Sequence, residues 1–270
     1  MKFSVLLSIY HKENPANFDE ALTSIWDSQT LKPSEIVLVK DGPLTAELDT
    51  IIKKWEIKLE GILKVVPLAH NVGLGKALNT GLEHCSHDWV MRMDTDDIAL
   101  PDRFKKQVDY IEKNPDVALV GGQIEEFKGT LDNLSAKRLV PTEHEEIVHF
   151  AQNRSPFNHP TIAMRKEAIE AVGMYQHHLL MEDYNLWIRV LASGYKTANL
   201  PDTLLYMRSD GMHGRRRGWV YVKSEWQLYK LKTQLKFQSR FKALSLFFIR
   251  SSVRLLPASL LQYLYRLVRK

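Results

Sequence analysis

The chain has 270 residues, 44% hydrophobic and 26% charged, which are ordinary globular values, and no apolar run approaches the roughly 20 residues of a membrane span. Its one cysteine, Cys85, excludes an intramolecular disulfide and suits a reducing compartment. The net charge of +5 conceals a division: ten Lys and Arg but no acidic residue follow Glu225, so an acidic body precedes a basic tail of the kind that meets anionic surfaces.

The opening "MKFSVLLSIYHKENP" reads as a first strand rather than a signal peptide. "EIVLVK", "ILKVVPL" and "DWVMRM" repeat its β-branched and aliphatic style. Helical periodicity separates them at 17–30, 45–59 and 72–86, and a further helix is predicted over 101–113, with Pro101 in its first turn. "DVALVGG" follows as another strand. This alternation predicts an α/β fold with a parallel sheet covered by helices on both faces. Ligands then bind beyond the carboxyl ends of the strands. The polar endings Ser8-Ile9-Tyr10, Lys40-Asp41-Gly42 and Asp94-Thr95-Asp96-Asp97 should therefore converge on one edge. Residues 130–160 read as irregular, with "SPFNHP" as loop chemistry. Helical period returns over 182–193 and stops at Gly194, "TLLYMR" suits a strand, and "GMHGRRRG" is a basic loop. From 258 onward, Ser259, Gln262, Arg266, Arg269 and Lys270 share one arc of a helix that is otherwise apolar, the pattern of a basic helix lying in a membrane interface. Residues 242–255 are similarly apolar and basic but sort less cleanly, and for both segments packing on the body is the competing reading.

Three carboxylates in four residues point to a cation. Asp94 and Asp96, two apart on extended chain, would face the same way and offer hard oxygen ligands to Mn²⁺ or Mg²⁺. A solvated turn or a helix cap needs one Asp, not three. Asp41 stands at a strand end where a carboxylate can accept hydrogen bonds from a base or ribose, although turn chemistry alone also explains "KDGP". "HNVGLGKALNTG" lacks the P-loop and dinucleotide patterns, so Gly73 and Gly75 are read as permitting close backbone approach, and Lys76 faces either a phosphate or solvent. Glu182 and Asp183 begin a helix, where the helix dipole favours acids and where one of them can serve as a general base. Arg215 and Arg216 can neutralise a diphosphate or simply be solvated, and His213 beside them is a lone histidine that either completes a metal shell or does not.

The blocks "SIYHKENP", "VLVKDGP", "NVGLGKALNTG", "MDTDDIALPDR" and "MEDYNLWIR", in that order over roughly residues 1–215, resemble the bacterial family 2 glycosyltransferases, in particular those that extend lipid-linked O-antigen and capsule repeat units. The resemblance implies a GT-A (Rossmann-like) mostly parallel sheet with flanking helices over 1–215; over 216–270 it is the charge and amphipathic pattern that suggest a helical, basic, membrane-associating region with amphipathic helices. It implies that Ser8, Tyr10 and Asp41 line a uridine pocket. Asp94 and Asp96 would form the DXD pair on Mn²⁺ or Mg²⁺, with Asp97 extending it toward the acceptor side, where His159 also lies. Asp183 would be the catalytic base, with Glu182 as rival. Two departures stand out: the usual "DDGS" is "KDGP" here, and "YMRSDGMHG" leaves the metal role of His213 open. The implied activity is inverting transfer of a hexose, galactose before glucose or an N-acetylhexosamine, from a UDP-sugar to a sugar-diphosphate-undecaprenol, forming a β-linkage. The implied setting is peripheral, at the cytoplasmic face of the inner membrane, without nucleic acid. The competing readings are a sugar nucleotidyltransferase, transfer of another UDP-sugar to another acceptor, and a non-catalytic binding subunit. A nucleotidyltransferase should carry a glycine-rich basic loop after the first strand, where this chain has "YHKENP".

Overall fold

The computed structural model describes residues 1–209 and 218–255. Its first half is the expected parallel layer. Strands β1 (Ser4–Ile9), β2 (Glu35–Lys40), β3 (Leu63–Pro67) and β4 (Trp89–Arg92) lie in the order β3-β2-β1-β4, all parallel. Helices α1 (Pro15–Ile25), α2 (Ala46–Lys58) and α3 (Leu74–His84) connect them. Strict alternation sorts the side chains between two cores. Val5, Leu7, Ile9, Ile36 and Leu38 join the core that includes Phe18, Leu22, Leu48 and Trp55 of α1 and α2. Leu6, Val37 and Val39 join the opposite core, with Ala77, Leu78 and Leu82 of α3. The helix starts are written locally: the Asn14 side chain accepts from the N–H groups of Ala16 and Asn17, Pro15 fills the first turn, and Thr45 caps α2.

The second half is mixed rather than parallel. Beyond β4 the order runs β8 (Ala163–Arg165), β6 (Val117–Lys128), β9 (Lys196–Arg208), β5 (Ile98–Ala99). Strand β8 is antiparallel to β4 and β6, whereas β9 is parallel to β6 and antiparallel to β5. Strand β7 (Thr130–Arg138) returns directly from β6 as a hairpin, so its pairing must be antiparallel. The expected irregularity of 130–160 is thus corrected: it holds β7 and α5 (His144–Ala151). Strand β7 is mostly exposed along its length, so burial never imposed an alternating pattern on its sequence. Helices α4 (Arg103–Lys113), α6 (Lys166–Ala171) and α7 (Glu182–Ala192) complete the body.

Two further helices follow, α8 (Trp219–Gln234) and α9 (Arg240–Leu255). Their short connection makes an antiparallel hairpin, and the Gly218 N–H accordingly reaches the Arg254 carbonyl at 3.1 Å. The inner face of α8 buries Ser224, Glu225, Leu228 and Lys232. Lys232 Nζ donates at 2.9 Å both to the Gln152 carbonyl and to the Tyr184 hydroxyl on α7. No helix among the described residues is long and apolar enough to cross a membrane. The amphipathic stretch from 258 lies outside the described residues, as do His213, Arg215 and Arg216.

Candidate active site

One edge of the site is built from three strand ends. Parallel register sets Ile9 beside Lys40, and the Asp41 N–H continues the ladder to the Ile9 carbonyl at 2.8 Å. Ser8 is partly buried at this edge and Tyr10 is exposed just past it. The Tyr10 carbonyl accepts from the Glu13 N–H at 3.2 Å, closing the turn that carries Glu13. Asp41 is buried, and its carboxylate takes the N–H groups of Val72 at 2.7 Å and Gly73 at 3.2 Å. Asp41 thereby clamps the loop that leads into α3, whose leading amides otherwise lack acceptors. Lys76, in the first turn of α3, is exposed.

The chain turns at Thr95-Asp96 instead of staying extended, so Asp94 and Asp96 are brought together by a turn and not by strand alternation. Arg92, 1% exposed at the end of β4, forms an ion pair with Asp94. Burial opposes the charge of Arg92, yet the Asp94 carboxylate outweighs it and holds the guanidinium firmly protonated. A second buried arginine, Arg103, donates to the Arg92 carbonyl at 2.6 Å, while burial and then Arg92 pull its pKa down to about 9. Asp97, expected on the acceptor side, is instead 1% exposed: one carboxylate oxygen accepts from the Arg208 N–H at 2.9 Å and the other, buried, has no hydrogen-bond partner. The Arg208 side chain braces the turn, donating to the Asp96 carbonyl at 3.1 Å, to Glu20 at 2.7 Å and to the Gly129 carbonyl at 2.8 Å.

Crowding shows in the acid strengths. Burial, then Asp94, raises Asp96 to about 6. Burial, then Asp96 and Asp94, raises Glu13 to about 7. Asp97 is held well above the usual carboxylate range by burial and the same two neighbours. No three His, Cys, Asp or Glu side chains form a ready metal cage among the described residues. The donor set nonetheless suits a divalent ion: hard oxygens, mutual repulsion among the carboxylates, and an orphaned carboxylate oxygen on Asp97.

The opposite wall comes from α7. Glu182 accepts the Gly75 N–H at 3.2 Å, and a Cβ on Gly75 would lie 2.7 Å from that carboxylate, so any larger residue there would push the Glu182 side chain from this position. Burial raises the Glu182 pKa. Asp183 is the next residue and is partly buried. Between the two walls stands Tyr175. Its backbone is held both ways by Asn79, at 2.8 Å each, and its hydroxyl shares a 2.8 Å hydrogen bond with His159 Nε2. The His159 ring meets Trp187 edge-on at 5.9 Å, and burial followed by Arg92 keeps the imidazole neutral, well below its usual pKa. Burial raises the Tyr175 phenol, with Asp183, Asp94 and Glu182 all adding to the effect, so one hydroxyl senses both walls. Arg92, Arg208, Tyr175 and Glu13 escaped the sequence reading. Only Arg92 carried a signal, as an arginine inside an apolar strand.

Residues 4–173 match the family model described as "Glycosyl transferase family 2". The chain is 47% identical to the amylovoran biosynthesis glycosyltransferase AmsE of Erwinia amylovora, over 99% of both chains. It is 38% identical to an Escherichia coli protein named UDP-Gal:alpha-D-GlcNAc-diphosphoundecaprenol beta-1,3-galactosyltransferase, over 99% of this chain and 96% of that one. Among solved structures it resembles a mannosyltransferase of Pyrobaculum calidifontis, in complex with GDP-Man and Mn²⁺, with a TM-score of 0.64 at 16% identity, covering 99% of this chain and 80% of the other. This α/β architecture of a mixed, curled sheet with flanking helices is the GT-A fold, and the chain belongs to glycosyl transferase family 2 as a glycosyltransferase.

Proposed function

We propose that the protein transfers galactose from UDP-galactose to an N-acetylhexosamine-diphosphoundecaprenol, with inversion, in the assembly of a surface polysaccharide repeat unit. The observation that carries this reading is the opposition of two carboxylate walls across Tyr175, with Asp94 and Asp96 on the donor edge and Asp183 on α7. The full-length likeness to the E. coli galactosyltransferase supports the choice of donor and acceptor.

In this reading the loop fixed by Asp41, together with Ser8 and Tyr10, receives the uridine, and exposed Lys76 lies toward the phosphates. Asp94 and Asp96 hold a divalent cation, Mn²⁺ or Mg²⁺, which when bound neutralises charge developing on the diphosphate. Arg92 sets the Asp94 carboxylate, and the clamp on Gly75 fixes Glu182 as a structural acid. Asp183 takes the proton of the acceptor hydroxyl. That oxygen attacks the anomeric carbon from the face opposite the diphosphate, the C–O bond to UDP breaks, and UDP leaves with the electron pair. An α-linked donor thus gives a β-glycoside. Neutral His159 and Tyr175 border the acceptor. The acceptor's lipid places the enzyme at the inner membrane surface.

The test is a screen of UDP-sugars with Mn²⁺ on synthetic GlcNAc- and GalNAc-diphosphate lipids, with linkage determination. UDP plus a β-galactoside is expected, whereas sugar nucleotide plus pyrophosphate would sink the proposal. Asp183→Asn should lower kcat by about 10²–10⁴. Glu182→Gln, which can still accept from Gly75, should cost far less. The reverse ranking would make Glu182 the base.

A further inference from the structure

We propose that the outward face of the α8–α9 hairpin is a seat for an anionic lipid bilayer. On α8, Trp219, Lys223, Trp226 and Lys230 are all exposed and recur at i, i+4, i+7 and i+11, which is a single stripe of a helix. On α9, exposed Phe241, Phe248 and Leu255 recur every seven residues, with Ile249 beside them. Trp219 is 69% exposed, Phe241 87% and Phe248 60%. Among the described residues, every strongly exposed Trp or Phe lies on this hairpin. The two stripes form one surface. Trp226 stacks on Tyr229 with centroids 5.0 Å apart, meets Phe247 of α9 at 5.3 Å, and Phe247 meets Phe248 at 5.3 Å. So much aromatic surface gathered on one face marks an interaction site.

Charge selects the occupant. Glu225, the last acidic residue of the chain, is turned inward and paired with Arg250 at 3.3 Å and Arg254 at 3.5 Å. Lys223, Lys230, Lys236 and Arg240 are exposed around the aromatic face with no carboxylate after Glu225 to offset them. Trp at headgroup depth, Phe at the acyl boundary and a fringe of lysines fit an anionic membrane interface. An acidic protein would answer the lysines but leave the Phe stripe unmatched. The part of this surface in the reaction rests on the lipid-linked acceptor proposed above.

The full chain is tested by co-sedimentation with vesicles of mixed phosphatidylglycerol and phosphatidylcholine and, separately, of phosphatidylcholine alone. Partitioning on the anionic vesicles is expected, with much less on the neutral ones. The triple variant Trp219→Ser/Phe241→Ser/Phe248→Ser should lose roughly tenfold or more of it, since binding scales with buried apolar area. Lys223→Glu/Lys230→Glu, which touches no apolar group, should weaken it in the same direction. Far-UV circular dichroism and turnover of a short-chain, water-soluble acceptor should stay at wild-type level in both. Unchanged partitioning of the two variants, or wild-type protein without preference for the anionic vesicles, overturns the proposal. If partitioning behaves as expected but no lipid-linked acceptor is turned over, the acceptor reading falls and the surface stands.

Discussion

Asp96, Asp97 and Glu13 sit where mutual repulsion and burial both oppose ionisation, and the raised pKa values of Asp96 and Glu13 register that cost. Such a cluster is destabilising on its own and favourable only with a cation and an anionic ligand bound. Asp96→Ala should accordingly leave the Tm of the ligand-free protein unchanged or higher. In the wild type, Mn²⁺ with UDP at about a hundred times Kd contributes about 2.7 kcal/mol. That is about 5–10 °C in a chain of this size. Asp96→Ala should lose this shift when followed by thermal unfolding, and a full shift in the variant would remove Asp96 from the metal site. Repetition of Asp made the cluster legible in the sequence. Tyr175 was not, because what defines it are Asn79, 96 residues earlier, and His159, 16 residues earlier, and neither spacing leaves a periodic trace.

At the scale of elements, the strands that deliver the site carried their own signatures, since each is buried on both faces and reads as a short aliphatic run. The mixed half did not. Strand β8 is three residues long, and β9 spans Lys196–Arg208 although only its end reads as a strand. Between the legible strands, one turn decides whether the loop before α3 forms. Gly42 has φ +88°, and a Cβ there would lie 2.7 Å from the Asn71 backbone nitrogen. That same stretch of chain supplies the amides that Asp41 holds. Gly42→Ala combines left-handed strain with a backbone clash, so a loss of about 1–3 kcal/mol is expected in urea unfolding with an unchanged m-value. UDP affinity should fall with it, because the loop cannot keep its place beside β2. Wild-type stability in the variant would show that the turn relaxes freely and does not order the loop.

For the whole molecule, the split into acidic body and basic tail was plain from charge alone, whereas the way the two parts join was not. The join is polar and buried. Lys232 reaches from α8 to Tyr184, the neighbour of Asp183 on α7, and the hairpin is thereby tied to the helix that carries the proposed base. Burial, then Arg250, lowers the Lys232 pKa to about 7, with Glu225 opposing and Lys242 assisting. In the unfolded chain a lysine titrates near pH 10.4. Between these values the unfolded chain holds a proton that the folded one has released, so this residue makes stability rise with pH, by up to about 1.4 kcal/mol per pH unit. Below pH 7 both states are protonated and the penalty of the buried charge is fully present. Lys232→Met removes the titration along with the hydrogen bonds to Tyr184 and Gln152. The stability of wild type minus variant, from urea unfolding at pH 7, 8 and 9, should therefore climb by about 2 kcal/mol across the series. The window stops short of the phenols, since the raised Tyr184 pKa lies above it. A flat difference would mean that Lys232 stays charged in the fold, and the hairpin would then be held to α7 by an ion rather than by a neutral amine.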